Sequence, residues 1–253
     1  YQGVFRNPLA DPYLLGVAAG AGLGATIAIV SGLPSSTIAP LAFTGAVIAV
    51  VAAYGLASLG GSRRSGATLI LAGVAVAAFF TALQTYLQQQ HADTIRQVFS
   101  WILGRLSTTG WGDVRTLLPY AIVSWLVLFA YRRHLDVMAV GEEEASTLGI
   151  HPARVRLVVV AGATLGAAAA VAVSGLIAFV GIIVPHIARL VTGPSHRVLL
   201  PVSLPGGAAF LMVADLVART VQSGGEVPIG VITAFVGAPF FAFILATRRE
   251  VAT

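Results

Sequence analysis

The chain has 253 residues, 57% of them hydrophobic and only 10% charged, against about a quarter charged in a soluble domain, so residues 1–253 are read as one all-α polytopic membrane domain. It contains no cysteine and no lysine, which excludes disulfide scaffolds, zinc–thiolate sites, Schiff-base chemistry and a phosphate-binding loop that hydrolyses ATP within this chain. The formal net charge of +5 is carried by arginines scattered between apolar runs, the pattern of membrane-protein loops rather than of a nucleic-acid surface.

In chain order, Tyr1 to Phe5 reads as the tail of an apolar segment, so part of the protein is expected ahead of it. Next comes RNPLADP, a turn bracketed by Pro8 and Pro12. Asn7 can hydrogen-bond to backbone in that turn and Pro12 suits a helix start. The stretch is either a rigid loop or part of a cytoplasmic gate. Runs long and apolar enough to span a bilayer are predicted at 13–33, 37–59, 67–88, 117–135, 157–175, 199–221 and 228–247, with a short one at 177–193. Turn chemistry at 32–34, 61–64 and 192–195 separates them.

Segment 89–116 alternates polar and apolar residues. Ile95, Val98, Phe99, Ile102 and Leu106 recur at helical spacing, predicting an amphipathic helix on the outer, periplasmic side that lies on the bundle or at the interface, with Trp101 and Trp111 in an aromatic belt. Segment 136–156 contains GEEEASTLGI. Gly141 is followed by Glu142, Glu143 and Glu144, acids suited to a helix first turn. Ala145 and Leu148 share a face, and Gly149 is placed to end the helix. Taken alone this is either a solvated linker or a docking knob for a cytoplasmic partner. Whether any one glutamate makes a specific contact stays open.

The apolar run 157–184 is too long for one span and too short for two. Ser174-Gly175 interrupts it and Pro185 follows, predicting a broken or short helix whose irregular backbone is buried in protein or lines a cavity. His186 either hydrogen-bonds carbonyls freed by Pro185 or serves as a proton relay. The remaining histidines, His91, His134, His151 and His196, form no metal-ligand motif, so no metal site is expected. Asp215 and Arg219 stand one turn apart and can pair. With Glu226 they either dock a soluble partner or tie a loop to the bundle. Placing Arg6 inside puts ten of the fifteen arginines in cytoplasmic loops across eight spans. VSGL recurs at 30–33 and 173–176, a faint internal echo.

Several long stretches, in order, resemble the FecCD-type permease subunits of ATP-binding-cassette importers for iron–siderophore complexes, haem and vitamin B12. They are RNPLADPYLLGVAAGA at 6–21, LILAGVA at 69–75, GEEEASTLGI at 141–150, the run 175–201, ADLVAR at 214–219 and GEVPIGVITAFVGAPFF at 225–241. The resemblance implies a ten-helix subunit, with the two helices before NPLADP missing apart from the last residues of the second. It implies a homodimer in the cytoplasmic membrane of a bacterium or archaeon. Its partners would be two cytoplasmic ATPase subunits that bind ATP and Mg, and a periplasmic or lipid-anchored substrate-binding protein. This chain itself would need no cofactor and would not be an enzyme. By the same resemblance, Gly141, Glu142, Glu143, Glu144, Ala145, Leu148 and Gly149 form the ATPase-coupling segment, with Ala145, Leu148 and Gly149 expected to touch the ATPase. Asn7, Leu9, Gly66 and Ala67 belong to the cytoplasmic gate, the last two in the stretch from Ser65 to Thr68. Arg219 docks the binding protein. The rival reading is a proton-coupled secondary transporter with His186, Asp215 and Arg219 as its relay. An intramembrane hydrolase is disfavoured because no Ser–His pair or aspartate dyad falls at a common depth.

Overall fold

A computed structural model describes residues 1–59, 66–107, 109–222 and 225–249. Among them every regular element is a helix. A short α1 (Gln2–Phe5) leads into the NPLADP turn, followed by α2 (Val17–Val30), α3 (Ile38–Leu59) and α4 (Gly66–Gln90). Then come α5 (Ile95–Ile102), α6 (Trp111–Met138), α7 (Glu142–Thr147) and α8 (Pro152–Ser174). The chain ends in α9 (Val180–Thr192), α10 (His196–Thr220) and α11 (Ile229–Arg249). Among the described residues five helices are long and apolar enough to cross a membrane: α3 with the 3₁₀ turn before it, α4, α6, α8 and α10. Three shorter apolar helices, α2, α9 and α11, stand at the other predicted positions.

The core sits around α2. This helix is apolar all round and buried over most of its length, as expected of a helix enclosed by others. Its neighbours are α3 and α4, with α8 and α5 touching it as well. α8 continues the packing to α3 and α6, while α9, α10 and α11 form a second group joined to the first through α6 and α10. Small residues let the backbones approach. A Cβ on Gly20 would collide with the Gly45 carbonyl, and one on Gly24 with the Leu41 carbonyl while lying 3.1 Å from Ala42 Cα. Close small-residue crossings supply packing where lipid removes the hydrophobic drive between helices.

Three predicted boundaries move. The run 13–33 is not one helix: a 3₁₀ turn (Pro12–Leu15) is broken from α2 by Gly16 at φ +83°. There the chain bends so that the Leu14 carbonyl rests in the notch left by Gly73 of α4. The amphipathic helix stops at Ile102 because Gly104 turns left-handed at φ +75°, so Leu106 lies beyond it, and α6 takes over from Trp111. Arg154 and Arg156, expected in a loop, sit in the first turns of α8, because Pro152 at N1 starts that helix early.

The predicted break between α8 and α9 is present. α8 ends at Gly175, φ +73°, and α9 begins after Phe179, φ +69°. Gly175 is buried, the rest of the irregular stretch is half-buried, and hydrogen bonds fasten its surroundings. Arg105 N–H donates to the Ser174 carbonyl at 2.9 Å, and Gly230 N–H donates to the Leu103 carbonyl at 3.1 Å. Phe179 fills a notch at Gly237, where a Cβ would overlap its ring. Both copies of the VSGL echo end a helix at a left-handed glycine, Gly32 (φ +65°) and Gly175.

Replacing Gly24 by Val should lower the stability of the detergent-solubilised protein by about 2–4 kcal/mol, because backbone cannot yield as a side chain can. Gly55→Ala, where a Cβ meets nothing within 4 Å, should leave the thermal melting midpoint unchanged or slightly higher.

Candidate functional site

The short helix α7 is held at both ends by local rules. Glu142, Glu143 and Glu144 occupy its first turn, where unsatisfied N–H groups favour negative charge. At the other end Gly149 is left-handed, φ +81°. Its N–H donates to the Ser146 carbonyl and the Ile150 N–H to the Ala145 carbonyl, each at 3.0 Å. This pair of bonds is the Schellman arrangement. Ala145 is fully buried and Ile150 packs on the same core. Leu148 and Val140, by contrast, are 67% and 69% exposed.

The three glutamates therefore do different things. Glu142 pairs with Arg156 of α8, whose side chain is only 6% exposed. A buried guanidinium needs such a partner, since an uncompensated interior charge costs several kcal/mol. The Glu144 carboxylate lies over Gly141, in the space a side chain there would occupy. Glu143 is exposed. Ala145 is turned inward, so its contribution is to seat the helix, and the outward apolar surface belongs to Leu148 and Val140.

Beside α7 is a crevice of about 590 Å³ lined by Phe5, Arg6, Gly66, Ala67 and Gly141 to Glu144. The fold thus brings two expected gate residues, Gly66 and Ala67, against the expected coupling segment. Ser65 lies outside the described residues. Asn7 and Leu9 belong to the adjoining turn: Asn7 Oδ1 accepts the Leu9 N–H at 2.9 Å, and Asp11 Oδ1 accepts the Tyr13 N–H at 2.9 Å to start the 3₁₀ turn. Phe5 and Arg6, rather than Asn7 and Leu9, face the crevice.

A second junction sits at the same end of the bundle. Asp136, just past the predicted span 117–135, accepts hydrogen bonds from Ser195 Oγ at 3.0 Å, His196 N–H at 2.6 Å and His196 Nδ1 at 2.8 Å. Arg197 Nε lies 3.7 Å away. The C-terminal turn of α6 thereby caps the N-terminus of α10. The Asp136 carboxylate can only accept, so the His196 ring presents its Nδ1–H to it.

Residue pattern carried signals for both junctions. Arg156 shares a helical face with the buried Val159 and Val160, an i, i+3, i+4 spacing that places a cation inside. Asp136 stands at a helix C-terminus, where a carboxylate needs compensation.

At the opposite end, Arg219 Nε donates to Asp215 Oδ2 at 2.8 Å, the predicted one-turn pair. Both line a pocket of about 350 Å³ together with Arg105 and Glu226. His186 stands edge-on to Phe240 of α11, centroids 5.7 Å apart. Asp215 and Arg219 engage each other at the rim, and His186 packs on an aromatic ring of α11. Among the described residues no cluster of three or more His, Asp or Glu could hold a metal.

A model of the FecCD transport family matches residues 1–247. The cobalamin import system permease protein BtuC of Halobacterium salinarum is 46% identical over 251 residues, covering 98% of this chain and 67% of that protein. The Fe(3+) dicitrate transport system permease protein FecD of Escherichia coli is 35% identical over 250 residues, covering 98% and 77%. A metal-chelate type ABC transporter solved in an inward-facing conformation superposes with a TM-score of 0.90 at 29% identity, covering 97% of this chain and 79% of that one. In this family the membrane subunit is a multi-pass permease and ATP hydrolysis belongs to a separate subunit, and with the match running from Tyr1 to Thr247 the chain belongs to the FecCD transport family.

Proposed function

We propose that this permease moves a metal chelate of the iron–siderophore, haem or cobalamin class inward across the cytoplasmic membrane by alternating access. The observation that carries the reading is the junction around α7. A short helix, closed at both ends, offers Leu148 and Val140 outward while Glu142 ties it to Arg156 of α8. It shares one crevice with Gly66 and Ala67 at the foot of α4. A push on α7 from an ATPase that binds ATP and Mg is thereby delivered to α8 through the ion pair and packing, and reshapes the crevice that α7 shares with the gate.

The same reading takes all eight apolar helices as crossings of a ten-helix subunit and puts the α7 end in the cytoplasm, in keeping with the arginine distribution. Two copies of the subunit enclose the path, two ATPases meet Leu148 from below, and a substrate-binding protein meets Arg219 from above. The pairing of Arg219 with Asp215 supports docking by exchange: an acidic group on the binding protein competes for an arginine that is 43% exposed. Selectivity then rests mainly on the binding protein, since a bulky chelate suits a wide apolar route without fixed ligands.

Leu148→Arg should abolish transport in proteoliposomes while ATP hydrolysis by the assembled complex continues; unchanged transport would remove the docking role. Arg156→Met should leave Glu142 without its partner and speed hydrogen exchange over 142–150 by about tenfold or more, with transport reduced in parallel; unaltered exchange would show that the ion pair does not seat α7. Arg219→Glu should weaken binding-protein affinity by roughly fivefold to a hundredfold, recovered by the reverse charge swap on the partner.

A further inference from the structure

Pro185 stands inside α9 and has no N–H to give to the carbonyl four residues before it. That carbonyl belongs to Gly181. Thr192, at the far end of α9, is about 16 Å away along the helix. For a crossing helix this lies near the middle of a hydrocarbon layer about 30 Å thick, where a carbonyl without a donor is costly. The donor comes from a distant part of the chain. Gln2 Nε2 donates to the Gly181 carbonyl at 2.8 Å, and Gln2 Oε1 accepts from Arg189, two turns further along α9. The amide is thus held by α9 at both its donor and its acceptor, which fixes its orientation. The sequence offered His186 for a carbonyl freed by Pro185; at Gly181 the donor is a glutamine 179 residues away.

Gln2 opens α1, and the same single turn ends at Phe5, next to Arg6. Phe5 and Arg6 line the crevice shared with Gly66, Ala67 and the three glutamates of α7. α1 packs on α4, α6 and α8, whereas α9 packs on α10 and α11. Gln2 therefore reaches across the seam between the two groups of helices. We propose that Gln2 is a positioning residue of the transport cycle: its amide replaces the hydrogen bond that Pro185 deletes and ties α9 to α1, so that α9 follows changes in the crevice beside α7.

Two features suit α9 to such a role. The left-handed backbone at Gly175 and Phe179 separates it from α8, so it can turn without carrying that helix along. An ordinary intrahelical bond at Gly181 would stiffen α9 by itself, whereas a bond from Gln2 stiffens it only while α1 is in place. The proline thus moves part of the support of α9 onto the segment that borders the crevice. That α9 answers to the ATPase rests on the coupling role proposed for α7; the bond between Gln2 and Gly181 does not.

The test uses the assembled permease–ATPase complex, with hydrogen exchange read by mass spectrometry. At rest, Gln2→Met should speed exchange over 180–189 by about tenfold, the effect of losing one internal hydrogen bond. Pro185→Ala places an N–H opposite the Gly181 carbonyl, so Gln2→Met combined with Pro185→Ala should return to the unaltered rate. Exchange indifferent to Gln2→Met, or a double variant as fast as Gln2→Met alone, overturns the bond as a support of α9. The double variant also isolates the positioning role, because α9 is firm in it but no longer tied to α1. Trapping the unaltered complex with ATP and vanadate should change exchange over both 142–150 and 180–189. In the double variant the change over 142–150 should persist, and that over 180–189 should shrink by roughly threefold or more. A full response over 180–189 in the double variant overturns the link, since a residue that only braces the fold gives that result. Failure of the coupling role shows separately, as no response over 142–150 in the unaltered complex; it overturns the link and leaves the bond to be judged by exchange at rest.

Discussion

The approach of one backbone to another is the constraint on which this structure depends. Lipid offers no hydrogen bonds, so every irregular stretch at membrane depth must find partners in protein. That is possible only where side chains are missing. Gly73 of α4 admits the Leu14 carbonyl, Gly175 lies against Gly104, and Gly230 lies under the carbonyls of Leu103 and Leu176. At each of these places a Cβ would push the helix away and leave the broken segment stranded in hydrocarbon. The same economy of side chains lets α2, bounded by a bend on one side and a left-handed glycine on the other, stay enclosed by its neighbours.

On this frame the α7 end is built from a few charges. Two carboxylates stand there, Asp136 in the last turn of α6 and Glu142 at the start of α7. One binds a buried guanidinium and the other caps a helix, so each is spent on joining elements rather than on solvation. In a chain with ten acidic residues, placing two of them at joints of the same end concentrates the scarce polar interactions where helices meet. The apolar residues Leu148 and Val140 are left outside by this arrangement, although the surrounding turn chemistry is that of an ordinary water-facing loop.

Much of the fold was legible beforehand because apolar run length and turn residues report directly on spans. The short α9 was foretold by Ser174-Gly175 and Pro185, and the limits of α7 by Gly141 and Gly149. The break at Gly16 was not, because hydropathy is uninterrupted across 13–33 and one glycine among several carries no mark of its left-handed φ. Helix α5 was placed, but its end was not, since Leu106 continues the apolar period past Gly104. At the site, segment 141–149 was visible as a local helix motif, while the foot of α4 was named only through the family resemblance. Their meeting in one crevice, and the pairing of Glu142 with Arg156, are products of three-dimensional packing that no local pattern encodes. Arg156 could have been found by asking which face of α8 it falls on.

The cap that Asp136 places on α10 has a mechanical meaning. It fastens α6 and α10 together at one extremity, while an apolar cleft of about 460 Å³, flanked by Ile122, Trp125, Phe129 and Leu204, separates them further along. The pair resembles a compass hinged at its apex. Arg219 rides 23 residues from His196 on α10, about 35 Å along a straight helix. A swing of about 5° at the apex therefore carries Arg219 through about 3 Å, by the length of the arm alone. A hydrogen-bonded fulcrum at the α7 end is thus also a magnifier for the far end, and a displacement too small to strain the hinge is large enough to exchange the partners of an exposed arginine.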